Sequence, residues 1–170
     1  HVCLQWEDFA TPHARPILDR YRDDLLTFND DIQGTAAVAL GAVLSAVNLK
    51  KEALKDQIIV FLGAGSAGVG VADYLRAAMV KQGLTDLEAR QRFYMIDKDG
   101  LLHEGRTDLV PEQRIYARTL DHVEGWMREG RAIGLQDVID RTEATILIGL
   151  STVCGAFTRP IVESMASKVE

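Results

Sequence analysis

Hydrophobic residues along this chain follow two patterns. Three short and predominantly apolar runs, 58–62, 93–96 and 144–148, are typical of strands that are buried on both faces of a sheet. Elsewhere apolar residues recur every three or four positions, as on the buried face of a helix. This second pattern predicts helices at 71–79, 86–91, 135–139 and 160–165. Alternating strands and helices predict an α/β fold with a parallel sheet and right-handed crossovers.

The N-terminal third has a different arrangement. Short strands are predicted at 2–6 and 26–28, and between them a helix begins near Pro12, a residue type favoured in the first turn. A helix from residue 34 to about 47 is apolar on all sides, so we expect it to be buried. The polar stretch 101–118 predicts loops and turns.

Composition and charge exclude several classes of protein. The 170 residues include 47% hydrophobic and 26% charged side chains, which is typical of a soluble globular protein. The formal net charge of −6 argues against nucleic acid as a partner, because the phosphate backbone would repel it. No continuous apolar run approaches the ~20 residues of a membrane helix and no signal peptide is visible, so we expect no membrane association. Cys3 and Cys154 lie too far apart in sequence for a metal motif, and free thiols predict a reducing, cytoplasmic location.

A glycine-rich turn follows the first apolar run. Residues 63–68 read Gly-Ala-Gly-Ser-Ala-Gly, the G-x-G-x-x-G pattern, between a predicted strand and a predicted helix. The first glycine permits a tight turn, the second lets a pyrophosphate approach the backbone, and the third lets helix and strand pack closely. Free N–H groups at the start of the helix attract phosphates. The motif predicts a Rossmann-like, doubly wound parallel sheet that binds a dinucleotide through Gly63, Gly65, Ser66, Ala67 and Gly68.

An acidic residue ends the second apolar run, where a dinucleotide-binding fold needs a partner for the ribose hydroxyls. This residue is Asp97, although its 34-residue distance from Gly63 exceeds the usual ~20 because the segment 83–91 is inserted. Asp97 would repel a 2′-phosphate and therefore favours NAD, whereas the adjacent Lys98 would help the site to tolerate NADP. An ordinary turn after the strand is the alternative role for Asp97.

Small residues follow the third apolar run. Gly149, Ser151 and Thr152 come directly after the predicted strand, and the carboxyl ends of strands border the ligand crevice in a doubly wound sheet. These residues are predicted to line the dinucleotide. An ordinary loop between a strand and a helix explains them equally well.

Two acidic pairs, Glu7-Asp8 and Asp30-Asp31, each follow a short predicted strand. Three convergent carboxylates would suit Mg²⁺ or Mn²⁺, which prefer oxygen ligands. Surface acids are the alternative, since the chain contains 25 Asp and Glu residues.

The sequence resembles the malic enzyme family in two strings of this region. They are Trp-Glu-Asp-Phe at 6–9 and Thr-Phe-Asn-Asp-Asp-Ile-Gln-Gly-Thr at 27–35, and the glycine motif follows at the distance typical of the family. The resemblance extends over essentially the whole chain and is loose only at 106–131.

This resemblance implies roles for individual residues. Glu7, Asp8 and Asp31 match the family's ligands of a divalent metal, Mn²⁺ or Mg²⁺. Asp30 matches an acid that supports the catalytic lysine, and Thr35 matches a position near the nicotinamide.

The activity implied by the resemblance is oxidative decarboxylation of L-malate to pyruvate and CO₂ with reduction of NAD. Strings at 94–102, 108–113 and 147–152 also look like malolactic enzymes, which convert L-malate to L-lactate and CO₂ with NAD and Mn²⁺ retained. A non-catalytic dinucleotide-binding module is a second alternative, but it gives no reason for the acidic strings.

The resemblance also implies two structural parts. Residues 1–33 match the C-terminal part of the malate- and metal-binding domain, and residues 34–170 match the NAD(P)-binding Rossmann-like domain, truncated at its C-terminus. Family members are several hundred residues long, and their catalytic tyrosine and lysine belong to a region outside this chain. We therefore expect an internal fragment with no malate turnover of its own, and a homo-oligomer, dimer or tetramer, for the full-length protein.

Overall fold

A computed structural model describes residues 2–127 and 130–169, and its N-terminal part is a small strand–helix–strand unit. Strands β1 (Leu4–Trp6) and β2 (Thr27–Asn29) pair in parallel, with α1 (Thr11–Tyr21) between them. A π-helical turn, Asp30–Gly34, follows β2 and continues directly into α2 (Thr35–Lys50). Because this helical stretch runs from 30 to 50 without a break, the boundary predicted at 33/34 lies inside a helix.

The rest of the chain alternates between strands and helices, as predicted. In chain order the elements are β3 (Ile59–Leu62), α3 (Ser66–Lys81), α4 (Asp86–Arg90), β4 (Phe93–Asp97), β5 (Gly100–Leu101), α5 (Pro111–Arg114), α6 (Leu120–Val123), α7 (Leu135–Arg141), β6 (Ile146–Gly149) and α8 (Arg159–Ala166). Short 3₁₀ turns lie at Leu54–Asp56 and Glu124–Trp126.

These strands form one four-stranded sheet in the order β5-β4-β3-β6. Strands β4 and β6 both pair in parallel with β3, and the short β5 pairs antiparallel with β4. The chain therefore moves outwards from β3 on one side and then crosses to β6 on the other. This reversal creates a crevice at the carboxyl ends of the strands, the usual ligand position in such sheets.

Side chains of the central strand alternate between two hydrophobic cores. Ile59 and Phe61 pack in the core that contains α2 and α3, whereas Val60 packs in the core that contains α7 and α8. Successive residues of a strand point to opposite faces, so helices on both faces bury Ile59, Val60 and Phe61. The predicted Rossmann-like doubly wound sheet is confirmed.

Helix α2 is less buried than its composition predicts. Its buried residues are Ala36, Val43 and Val47, while Val38 and Leu49 are 76% and 83% exposed. The prediction of burial on all sides was therefore wrong, because in the described part of the chain α2 is covered on the side of α3 and not on the opposite side. The stretch Asp30–Lys50 is also long and apolar enough, with mean hydropathy 1.6, to match a membrane span by length and composition, which inspection of continuous apolar runs did not detect.

The polar stretch 101–118 is not entirely loops. It includes the end of β5 and the single turn of α5, and a parallel bridge joins His103 to Arg118. The remainder consists of turns and bends, as predicted.

Tyr116 anchors this stretch to α3. Its side chain is fully buried, and its hydroxyl donates a hydrogen bond of 2.7 Å to Asp73 Oδ1. Burial and the neighbouring Asp73 charge raise the pKa of Tyr116, so the hydroxyl stays protonated and remains a donor. Arg15 of α1 pairs with the same carboxylate at 3.2 Å, so Asp73 joins three segments of the chain.

We predict that Tyr116→Phe lowers the free energy of unfolding by about 1–2 kcal/mol, because the variant loses a hydrogen bond to a charged acceptor. Tyr74→Phe is the matched control, since no described residue hydrogen-bonds its hydroxyl and it lies in α3 beside Asp73. Urea denaturation of the full-length protein measures both changes. Equal losses in the two variants would contradict a role for this hydrogen bond.

Candidate active site

Three of the predicted carboxylates meet beside the N-terminal sheet. Glu7, Asp8 and Asp31 each offer an oxygen that lies within 4.8 Å of the others. They converge because β1 and β2 are parallel with Trp6 opposite Asn29, so the residues that follow both strands leave the sheet at the same edge. Asp8 has a φ of 57°, and its N–H donates to Asp31 Oδ2 at 3.0 Å.

The turn after β2 orients Asp31. The Asn29 side-chain oxygen accepts a hydrogen bond of 2.8 Å from the Ile32 N–H, and the backbone N–H of Asn29 donates to Gln33 Oε1 at 3.0 Å. Asp30 starts the turn, and its carbonyl accepts a hydrogen bond from the N–H of Thr35. Asp30 therefore lies at the start of this turn, beside Asp31 in the sequence, and Thr35 lies at its end.

The donor set of this acidic cluster fits a divalent cation. Three carboxylates within 4.8 Å repel one another, and Mg²⁺ or Mn²⁺ would relieve that repulsion with the oxygen ligands they prefer. Only Asp31 is partly buried, so two of the three groups remain open to a substrate.

A second acidic group, Asp97, Asp99 and Asp108, does not fit a cation in the same way. The Arg106 guanidinium lies among these acids, donating to both oxygens of Asp97 at 2.8 Å and to Asp108 at 2.5 and 3.1 Å. These hydrogen bonds raise the pKa of Arg106 and lower that of Asp108 to about 2. The group is a salt-bridge network with its own cation.

The turn that carries Asp31 packs directly against α3, the helix after the glycine motif. Ile32, next to Asp31, is buried, and its carbonyl oxygen lies 2.7 Å from the position that a Cβ at Gly70 would occupy. Helix α3 therefore packs closely on the turn that carries Asp31.

The glycine turn has the geometry that its sequence predicts. Gly63 has a φ of 118°, and a Cβ there would lie 2.5 Å from the carbonyl carbon of Leu150. A Cβ at Gly68 would lie 2.1 Å from the carbonyl oxygen of Gly63. Helix α3 then begins at Ser66 without a side-chain cap, so its first N–H groups, including that of Ala67, are available to an anion.

The loop after β6 borders the same turn. Gly149 and Ser151 line a cavity of about 210 Å³ together with Leu62 at the end of β3. Thr152 belongs to this loop without lining the cavity. The structure thus brings the predicted residues of the β6 loop next to the glycine turn, at the crevice where the strand order reverses.

Asp97 and Lys98 lie at the end of the neighbouring strand. One oxygen of Asp97 accepts a hydrogen bond of 2.8 Å from the Asp99 N–H, so this residue also stabilises the turn after β4. Lys98 pairs with Asp99 at 2.6 Å. Sequence reasoning missed Arg106, because its position in a polar stretch does not reveal which carboxylates it will meet.

A second cavity, of about 310 Å³, lies on the α1 side of the glycine turn. It is lined by Gly65 and Ser66, by Arg15 of α1, and by Gln113, which donates to the Ala64 carbonyl at 2.9 Å. The lining from α1 was not predicted, since only the tertiary fold brings that helix to the dinucleotide turn.

Comparisons with known proteins agree with this geometry. Residues 32–170 match the family described as "Malic enzyme, NAD binding domain". The chain is 49% identical to NAD-dependent malic enzyme 3 of Bacillus subtilis and 45% identical to the NAD-dependent malic enzyme of Acinetobacter baylyi. Both alignments cover 100% of this chain and 30% of the relative, so the chain spans about a third of the length of these curated proteins.

Solved structures show the same fold. The malic enzyme of Entamoeba histolytica matches 95% of this chain and 32% of its own, at 26% identity and a TM-score of 0.73. The malic enzyme of Pyrococcus horikoshii matches 99% of this chain and 36% of its own, at 24% identity and a TM-score of 0.72. The chain belongs to the malic enzyme family and corresponds largely to its NAD-binding domain.

Proposed function

We propose that the full-length protein oxidises and decarboxylates L-malate to pyruvate and CO₂, reducing NAD, with Mn²⁺ or Mg²⁺ bound by Glu7, Asp8 and Asp31. The observation that carries this proposal is the packing of the turn that bears Asp31 against α3, the helix of the glycine motif. A substrate bound at the carboxylates would therefore lie near a dinucleotide at the glycine turn. The names of the Bacillus and Acinetobacter relatives support the same reaction.

The reaction assigns a task to each group. A hydride leaves C2 of malate for the nicotinamide, the C2 hydroxyl loses its proton, the C3–C4 bond breaks to release CO₂, and C3 is then protonated to give pyruvate. A divalent cation would supply Lewis-acid polarisation of the C2 oxygen. Glu7, Asp8 and Asp31 would hold that cation, and Asp30 and Thr35, which flank the turn that bears Asp31, would support the catalytic base and the nicotinamide.

The charges near Asp97 support NAD over NADP. Asp97, Asp99 and Asp108 carry three negative charges, and Arg106 and Lys98 carry two positive charges already engaged with those acids. A 2′-phosphate would meet a network whose cations are occupied, so we propose that NADP binds more weakly. A cytoplasmic location and a homo-oligomeric full-length protein remain predictions.

Product analysis of the full-length protein tests this function. With L-malate, NAD and Mn²⁺, we expect NADH to accumulate with an equal amount of pyruvate, and a chelator to stop the reaction until Mn²⁺ is restored. Replacing NAD by NADP should lower the rate. Lactate without net NADH would replace the proposal with a malolactic reaction, and NAD binding that is indifferent to Mn²⁺ without turnover would indicate a non-catalytic module.

A further inference from the structure

A pair of cavities lies at the amino ends of the main-sheet strands, opposite the carboxyl ends that border the cofactor crevice. One, of about 260 Å³, is lined by Arg90, Arg114, Arg118, Glu104 and His122 among others. The adjoining one, of about 400 Å³, shares Arg118 and His122 and also contacts Arg92 and Ile58. Ile58 and Arg92 directly precede β3 and β4, so these cavities lie at the amino ends of the strands, about 13 Å from the cofactor crevice across a four-residue strand.

Arg118 is the central cation of these cavities. Its guanidinium lies 4.4 Å from the centre of the Tyr94 ring. It donates a hydrogen bond of 2.9 Å to the carbonyl of Gln91 and one of 3.3 Å to His122 Nε2. Its Nε is buried without a hydrogen-bond partner among the described residues. Burial lowers the pKa of Arg118, which reflects a charge removed from water.

No described carboxylate lies within 4 Å of Arg118 or Arg114. Arg90 pairs with Asp86, whereas the side chain of Arg114 donates, among the residues that the structure describes, only to the Thr107 carbonyl, at 3.4 Å. His122 does not compensate either, since its Nε2 already accepts from Arg118 and contacts the Tyr94 hydroxyl at 3.0 Å. A partly buried cation without a counter-charge is costly, and an anion in the cavity would offset that cost.

The backbone of Arg118 is held before any ligand arrives. Its N–H donates to the Leu102 carbonyl and its own carbonyl accepts from the Glu104 N–H, both at 2.9 Å. The guanidinium is therefore positioned by β-type hydrogen bonds below it and an aromatic ring beside it. Such preorganisation reduces the entropic cost of binding a ligand.

We infer that Arg118 and Arg114 form an anion-binding site for a phosphate-bearing ligand at the amino edge of the sheet, separate from the dinucleotide crevice. Two guanidinium groups match the oxygens of a phosphate group, and the cavity leaves room for part of an attached molecule. Among the described residues, one carboxylate lines this cavity, Glu104, and one lines the adjoining cavity, Glu88. These two charges limit the site to ligands that approach from the arginine side. This inference does not depend on the reaction proposed above.

Calorimetric titration with inorganic phosphate tests the site in the full-length protein. Saturating NAD is included to occupy the glycine turn. Arg118→Gln and Arg114→Gln are compared with Arg22→Gln, a control directly after α1 that removes an exposed arginine paired with Asp19. We expect each cavity variant to raise the Kd for phosphate about tenfold or more, and the control to leave it within twofold. Arg114 is exposed, so its variant keeps the test valid if Arg118→Gln fails to fold.

A fluorescence measurement locates the bound phosphate. The Trp126 ring stacks on the Tyr94 ring with 6.0 Å between ring centres, and its centre lies 5.2 Å from that of the His122 ring. The fluorescence emission of Trp126 should therefore respond to an anion bound at Arg118. The change that phosphate causes in the full-length protein should disappear in Trp126→Phe. Absence of saturable phosphate binding would overturn the inference, and this is the result expected if an acidic surface of another subunit fills the cavity. Equal weakening of phosphate binding by all three arginine variants would overturn it as well.

Discussion

Replacing Asp31 with asparagine in the full-length protein is expected to reduce kcat/KM for malate about 10³-fold, which corresponds to ~4 kcal/mol of transition-state stabilisation. Asp31 is the partly buried member of the acidic cluster, and the turn capped by Asn29 orients it. An asparagine keeps an oxygen that accepts the Asp8 N–H but removes the charge that would hold a cation. Steady-state kinetics and Mn²⁺ binding by electron paramagnetic resonance measure the loss.

A control and a stability measurement separate metal binding from damage to the fold. Asp24→Asn removes an exposed acid that pairs with Arg20 on the surface, and it should change kcat/KM less than twofold. In the presence of a chelator, Asp31→Asn should unfold at the same temperature as the parent or at a higher one, since one of three repelling charges is gone. Unchanged Mn²⁺ affinity and turnover in Asp31→Asn would refute the metal assignment.

Gly63→Ala is expected to lower the free energy of unfolding by about 3–5 kcal/mol. A φ of 118° is strained for alanine, and the added Cβ would lie 2.5 Å from the backbone of Leu150, which cannot move without displacing β6. Displacement of the glycine turn by the added methyl group should also weaken NAD binding at least tenfold, because Ser66 begins the helix that would face the phosphates. Urea denaturation and NAD titration measure the two effects.

Gly83→Ala isolates the backbone contribution to this result. Gly83 has a comparable φ of 104°, but a Cβ there would meet no atom within 4 Å. We expect a loss of about 1 kcal/mol from strain alone, with unchanged NAD affinity. If both alanine variants lose the same stability, the contact between the glycine turn and the β6 loop does not explain the requirement for Gly63.

Local sequence patterns were sufficient for the three parallel strands of the main sheet, but not for the short antiparallel β5, which enters the stretch predicted as loops. The run 58–62 is uninterrupted by polar residues because both faces of β3 are covered by helices, and that double burial is visible in the sequence itself. The glycine motif was equally informative, since the strand before it and the helix after it restrict the turn to one geometry. Family strings at 6–9 and 27–35 identified the acids that the structure then brings together.

Helix α2 demonstrates the limit of such patterns. Its alanine, valine and leucine residues are distributed around the whole helix, so composition predicts burial on every side. Burial depends on how many neighbours a helix has, and α3 covers only one side of α2 in the described chain. Val38 and Leu49 are therefore exposed although they are as apolar as buried Val43 and Val47.

By itself, then, the sequence determined the three parallel strands of the main sheet, the glycine turn, the family and the acids at 7, 8 and 31. Each of these depends on residues that are close in the chain or on strings typical of a family. Tertiary structure alone decided which charges meet. Arg106 bonds Asp97 across nine residues and Arg15 reaches Asp73 across 58, while Arg118 comes to lie without a described carboxylate beside Tyr94. Long charged side chains pair with residues that are close in space but distant in the chain, so hydrophobic periodicity in the sequence does not predict these pairs.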